Sequence, residues 1–334
     1  MNQRVDRRNV LKNATIWAGC LGVGLNISGV RSAKAGILGN NVSAFETILR
    51  NSTGAVAAAF SDFAVQSPEG TTCTARLAYP LVLNKKLPVL VFCPDEGANA
   101  SQYDQLTGAL AAQDYFVLTI DRRPLNIQAA RSFLTPEQQG ENRLRRFAEV
   151  RFLLDTIDAA AAALGPKAEL VDATRVGAMG HGDGAWIAAG LGGWDSNGAP
   201  STRTRDGRVY AVLGLLPSRS LSPTNVAAQR SPDGVSGMFI GNLAAIPNPE
   251  RGSGLLGLGL MVNSNTFGGL IGASNSTQPR RLAAEPQALA ASIASAVLFF
   301  NWTLRGNRDH KKELMALDGH RVEGLPTPLQ LRKA

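Results

Sequence analysis

Three cysteines and three histidines in 334 residues are too few for a disulfide framework or for a set of zinc sites. Charged residues make up only 18% of the chain and hydrophobic ones 44%, which excludes a chain kept unfolded by self-repulsion. The 35 glycines follow no three-residue period, so the chain is not a collagen. It has no heptad run and no internal repeat, so coiled coils and solenoids are excluded. What is left is a chain long enough for one large packed domain or two smaller ones, at roughly 100–200 residues each.

The formal charge of +8 points to a nucleic-acid partner only if it is concentrated on the folded body. Residues 1–35 hold six basic side chains and one acidic. From Arg305 onward there are seven and four, and the body between carries 21 of each sign. The body is neutral, and nucleic acid is excluded as a partner.

Residues 1–35 are similar to a twin-arginine (Tat) export signal. Arg7-Arg8-Asn9-Val10-Leu11-Lys12 precedes a weakly apolar run, Ala14 to Val30, and then Ala33-Lys34-Ala35, an A-x-A cleavage pattern. The run has four glycines, Asn26 and Ser28, too short and too polar for a bilayer span of roughly 20 apolar residues. The expected mature chain starts at Gly36, is periplasmic or secreted, and has no integral membrane span. Cys73 and Cys93 then remain, either paired in an oxidising compartment or as two buried thiols. The expected organisation is a signal at 1–35, a domain at 36–305 and a charged tail at 306–334.

Short β-branched or aromatic runs bounded by Pro, Gly or charge predict strands near Phe60–Val65, Cys73–Tyr79, Pro88–Cys93, Phe116–Asp121, Arg175–Met179, Val209–Leu216, Gly237–Gly241 and Leu258–Val262. Helical spacing predicts helices at Ser101–Gln113, through Phe147 to Leu164, at Ala185–Leu191 and at Ala288–Leu304. The Gly-rich stretch Gly252–Gly272 reads as a buried strand with irregular flanks or as an apolar lid. Its runs Leu256-Gly-Leu-Gly-Leu260 and Gly268-Gly-Leu-Ile-Gly272 lack the strand, helix and acid of a dinucleotide site, and no cofactor is expected. Alternating strands and helices predict an α/β fold with a mostly parallel sheet covered on both faces.

Between the strand at Arg175–Met179 and the next helix lies Gly180-His181-Gly182-Asp183-Gly184. This segment resembles the G-x-S-x-G nucleophile elbow of α/β-hydrolases. Pro88–Pro94 resembles that family's third strand and Gln113–Asp121 its next helix end and strand. Arg146–Asp155 resembles the helix before the elbow in dienelactone hydrolases and in lipases related to platelet-activating-factor acetylhydrolase and chlorophyllase. The resemblance implies the α/β-hydrolase fold, but it also marks what has been lost. The nucleophile position holds Gly182, which has no side chain to form an acyl-enzyme. The window for the catalytic base, Val262–Phe267, has no His, and Phe239–Pro247 has no orienting carboxylate. Where relatives carry His-Gly after the third strand, Pro94-Asp95-Glu96-Gly97 places acids that would repel an oxyanion.

The catalytic expectation is therefore none, with Asp183 and His181 the only stand-ins near the elbow and His310 or His320 distant alternatives. Cys93, Asp95, Glu96, His181, Gly182 and Asp183 are the expected cleft residues. Asp95, Glu96 and Asp183 would be the only acids near enough for a cation, and a metal is not expected. The pattern is that of a non-catalytic hydrolase relative binding a small apolar ligand or an envelope protein partner. The alternatives are an ester or lactone hydrolase with an atypical site, or a structural subunit of an envelope complex.

Overall fold

The computed structural model describes residues 43–52, 57–66, 72–95, 98–121, 136–194, 204–215, 234–242, 266–271, 286–321, 323 and 330–333. The expected export signal, Glu96 and the strand expected at Leu258–Val262 lie outside the described residues. In chain order the elements are α1 (Ala44–Ser52), β1 (Ala58–Gln66), β2 (Thr72–Pro80), β3 (Leu87–Cys93), a 3₁₀ turn (Ala100–Tyr103), α2 (Asp104–Ala111) and β4 (Phe116–Asp121). There follow α3 (Pro136–Asp155), α4 (Ile157–Ala161), β5 (Val171–His181), α5 (Asp183–Gly192), β6 (Val209–Leu215) and β7 (Ser236–Asn242). The chain closes with β8 (Thr266–Ile271), α6 (Pro286–Arg305), α7 (Arg308–Met315) and β9 (Gln330–Lys333).

The strands form one mixed sheet in the order β1-β2-β4-β3-β5-β6-β7-β8-β9. β3 to β8 run parallel; β2 is antiparallel to both β1 and β4, and β9 is antiparallel to β8. This is an α/β architecture with helices on both faces. β3 shows why: each of its seven residues is buried, as a parallel strand between two helical layers requires. Leu90 and Phe92 join the core under α1, α2 and α6, while Val89, Val91 and Cys93 join the core under α3, α4 and α5. The strand period of two thus builds both layers from one run.

Helix α6 is long and apolar enough to cross a membrane, with a window of mean hydropathy 1.4, but 83% of that window is buried inside the protein. A helix apolar all round fits a core position. Cys93 carries a free, buried thiol. Strand β4 stands between β3 and β2, which carries Cys73; Cys93 is level with Ala75 rather than Cys73, so the Cα atoms of the two cysteines are more than about 9.5 Å apart, beyond disulfide reach.

Residues 307–320, expected in the charged tail, pack against the rest of the fold. Asn307 caps α7 by accepting from the Asp309 and His310 amides at 3.1 Å, and Leu314 is fully buried. Glu313 Oε1 accepts the Phe45 amide at 2.7 Å, tying α7 to the start of α1. His320 Nε2 lies 2.8 Å from Glu46 Oε1 and its ring meets Phe45 edge-on. Charge density hid this because one buried leucine every turn or two is enough to seat a short helix. Leu314→Ala should lower the unfolding free energy by about 2–5 kcal/mol, whereas Met315→Ala, at a half-exposed position, should change it by no more than about 0.5 kcal/mol. Urea unfolding of the two variants checks this, and equal small effects would return the segment to the status of a tail.

Candidate functional site

β5 and α5 meet in a sharp turn at Gly182, with φ 56° and ψ −120°. A positive φ costs a residue bearing Cβ about 1–3 kcal/mol. The Gly182 amide donates to Leu215 O at 3.0 Å, and its carbonyl accepts from the Ala185 amide at 3.3 Å, so the turn is pinned to β6 as it opens the helix. A Cβ on Gly184 would run into the backbone of Cys93 and Pro94, and one on Gly180 into the backbone of Gly184. The alternate glycines let α5 start directly against the end of β3.

Asp95 lies over Gly182. A Cβ added at Gly182 would collide with the Asp95 carboxylate, and the Asp183 amide, the first N–H of α5, donates to Asp95 Oδ1 at 2.8 Å. Unpaired N–H groups and the helix dipole favour an anion at this point. The acid expected to repel an anion at this turn is itself the anion that takes the first amide of α5. Its backbone is held as well. The Asp95 amide donates to Tyr103 Oη at 3.1 Å, the Ala98 amide donates to the Asp95 carbonyl at 3.1 Å, and Arg146 Nη2 donates to the neighbouring Pro94 carbonyl at 2.8 Å.

Tyr103 Oη also lies 3.1 Å from His181 Nδ1. Because Tyr103 Oη accepts the Asp95 amide, its own proton is best spent on His181 Nδ1. The reverse arrangement would leave two buried polar groups unmatched instead of one. The imidazole proton then sits on Nε2, which is buried with no hydrogen-bond partner among the described residues. His181 is fully buried, and burial pushes its pKa down to about 4, so it is neutral at ordinary pH. Burial also lifts the Tyr103 hydroxyl well above the usual phenol range.

A small cleft beside the turn is lined by Cys93, Pro94, Asp95, Ala98, Ile120, Arg146, Glu149, Val150 and Ile187, with room for about one water molecule. Of the expected cleft residues, Cys93 and Asp95 line it. Gly182 lies beneath Asp95, Asp183 starts α5, and His181 points into the opposite core toward Tyr103. Burial pushes the Cys93 thiol up to about 12, with Arg146 opposing the shift, so it is a protonated core thiol at neutral pH. Among the described residues no group of three or more His, Cys, Asp or Glu is arranged to hold a metal ion.

The distant histidines are placed too. Arg305, just before α7, donates to the Gln113 and Asp114 carbonyls, which precede β4, so α7 and His310 sit at the N-terminal edge of the parallel strands. His320 is tied to Glu46 at the start of α1, beside α7. The turn at Gly182 is at the opposite, C-terminal edge. The window expected for a catalytic base also moves. Val262–Phe267 leads into β8, and the stretch that follows the last parallel strand is 272–285, which again contains no histidine. The stretch between β7 and β8, 243–265, holds one carboxylate, Glu250, outside the described residues.

Sequence reasoning missed Tyr103 and Arg146. Helical spacing assigns Tyr103 to a core face, and nothing local marks its hydroxyl, whose partner is 78 residues away. Neither a scan against protein-family models nor a search of curated proteins finds a match to this chain.

Gly182→Ala should destabilise the protein by more than the conformational cost alone, because the new Cβ must also displace Asp95. In an Asp95→Ala background the same substitution should cost less, with a coupling of about 0.5–3 kcal/mol. A double-mutant cycle by chemical denaturation measures it, and strictly additive costs would show that Asp95 does not stand over Gly182.

Proposed function

We propose that this chain is an exported, non-catalytic member of the α/β-hydrolase fold, from the branch of the dienelactone hydrolases and the lipases resembling platelet-activating-factor acetylhydrolase and chlorophyllase. Its role is to bind a small apolar ligand or an envelope protein partner. The strand order with an antiparallel second strand and the strand–turn–helix with a strained central residue support the fold assignment. One observation carries the functional assignment: the Asp95 carboxylate occupies the space above Gly182 and takes the Asp183 amide. In a working elbow that space holds the nucleophile, and the amide of the next residue stabilises the oxyanion. Here both are used by an internal side chain.

The losses reinforce one another. An acyl transfer needs a nucleophile, a base within hydrogen-bond reach and a free oxyanion donor. Gly182 supplies no nucleophile and His181 is committed to Tyr103 below the turn. His310 and His320 are held at the far edge of the sheet. A hydrolase with an atypical site would have to work without an imidazole, since none of the three histidines reaches this position.

Purified mature protein is expected to turn over short p-nitrophenyl esters no faster than its unfolded control and to resist a fluorophosphonate serine label. Gly182→Ser should gain no activity, alone or with Asp95→Ala, because no base accompanies the new hydroxyl. Turnover well above the control and abolished by Asp183→Ala would overturn the proposal. Co-purification from the native envelope at mild salt separates a protein partner from a small ligand extracted with the pure protein.

A further inference from the structure

We propose that Tyr103 and His181 form an acid-operated latch: the pair holds Asp95 in the elbow while His181 is neutral and releases it when His181 takes a proton. The proposal rests on the elbow being a closed, non-catalytic site. It stands on a continuous hydrogen-bond chain. The Asp183 amide donates to the Asp95 carboxylate at 2.8 Å, the Asp95 amide donates to Tyr103 Oη at 3.1 Å, and Tyr103 O–H donates to His181 Nδ1 across 3.1 Å. The chain works only while Nδ1 accepts. Protonation turns Nδ1 into a donor, drives a second hydrogen toward Tyr103 Oη, and leaves a cation with Nε2–H unmatched in a fully buried position. The ring then gains by moving toward water, and Tyr103 and the backbone of Asp95 lose the partner that aligned them.

Among the described residues, the titratable and charged groups around the relay are Tyr103 on the 3₁₀ turn, Asp95 after β3, Cys93 at the end of β3, Asp183 at the start of α5 and Arg146 on α3. Burial is the cause that holds the His181 pKa down, since it disfavours the imidazolium. The sign follows. Closed, His181 has its pKa depressed from 6.5 to about 4; open and hydrated, it titrates near its ordinary value. Opening therefore takes up a proton and is favoured as pH falls through this window. The full difference shifts the closed-to-open ratio by at most roughly 300-fold.

Cys93 reports the motion, because it is buried and lines the same cleft as Asp95. The full mature chain is labelled with dithiodipyridine, which reacts in acid. Modification of Cys93 is read by peptide mass spectrometry against the denatured chain at each pH, while circular dichroism confirms the fold. Protection of Cys93 is expected to fall by on the order of a hundredfold between pH 6.5 and 4 in the wild type. It should stay constant in His181→Gln, whose amide oxygen accepts from Tyr103 without titrating. Protection unchanged down to the pH of global unfolding, or the same fall in His181→Gln, overturns the latch. Should His181→Gln not fold, Tyr103→Phe decides: Cys93 exposed already at neutral pH supports the latch, and wild-type protection there overturns it. Ester turnover by the wild type would sink the non-catalytic assignment whatever the labelling shows, so the two ideas fail separately.

Discussion

The hydrogen bond from the Asp183 amide to the Asp95 carboxylate is the contact on which the arrangement at the top of the sheet depends. It joins the end of β3 to the start of α5 across a turn that has no side chain of its own. A helix N-terminus needs acceptors for its first amides, and a strained turn persists only where its surroundings fix it. Asp95 meets both needs at once. It can do so because Gly182 leaves the space open, and Gly184 lets the helix approach the backbone of Cys93 and Pro94.

That contact in turn depends on the two layers beneath it. Tyr103 comes from the layer of α1, α2 and α6, and Arg146 from the layer of α3, α4 and α5. Asp95 sits where the sheet edge gives access to both, so its backbone is gripped from one face through Tyr103 and its neighbour Pro94 from the other through Arg146. In the chain of polar groups that runs from the Asp183 amide through Asp95 and Tyr103 to His181, the buried atom without a hydrogen-bond partner among the described residues is His181 Nε2. A buried donor left unmatched costs about 1–3 kcal/mol. That one is retained beside the most strained residue of the site.

Most of the sheet is legible in the sequence because β3, β4, β5 and β6 are parallel strands buried on both faces, and such strands read as continuous apolar runs between helical periods. β8 is less legible: Thr-Phe-Gly-Gly-Leu-Ile has two glycines at its centre, which mask the strand signal, and the apolar run just before it draws the expectation to Leu258–Val262. The C-terminal segment misleads for a different reason. Its helix is seated by Leu314, by Leu317 and by polar contacts of Glu313 and His320 with α1, so its composition is that of a solvated tail. At the site, the glycine spacing of 180–184 gives the turn, and that its central residue carries no side chain follows from inspection. The role of Asp95 does not, because a carboxylate after β3 repels or caps depending on whether a helix amide is aimed at it. Only three-dimensional placement, 88 residues apart along the chain, decides which.

The scarcity of histidine makes the chemistry tractable. With three imidazoles in the chain, each can be located and asked whether it reaches the turn. His181 is nearest in sequence, yet its position at the end of β5 turns it into the core on the side of Met179, under the turn rather than above it. His310 and His320 follow α6, which runs from its start after β8 down to Arg305 at the carbonyls before β4. The six residues of β4 span about 20 Å, so these two histidines sit a full strand length from Gly182. The segments outside the described residues contain no histidine at all. No arrangement of those segments can therefore bring a fourth imidazole to the elbow. A hydroxyl placed at Gly182 would find no imidazole to take its proton, and the Asp183 amide would still be bound to Asp95. Gly182 is thus one part of a coupled arrangement, and the Asp95 carboxylate above it is the group that Tyr103, Arg146 and the Asp183 amide hold in place.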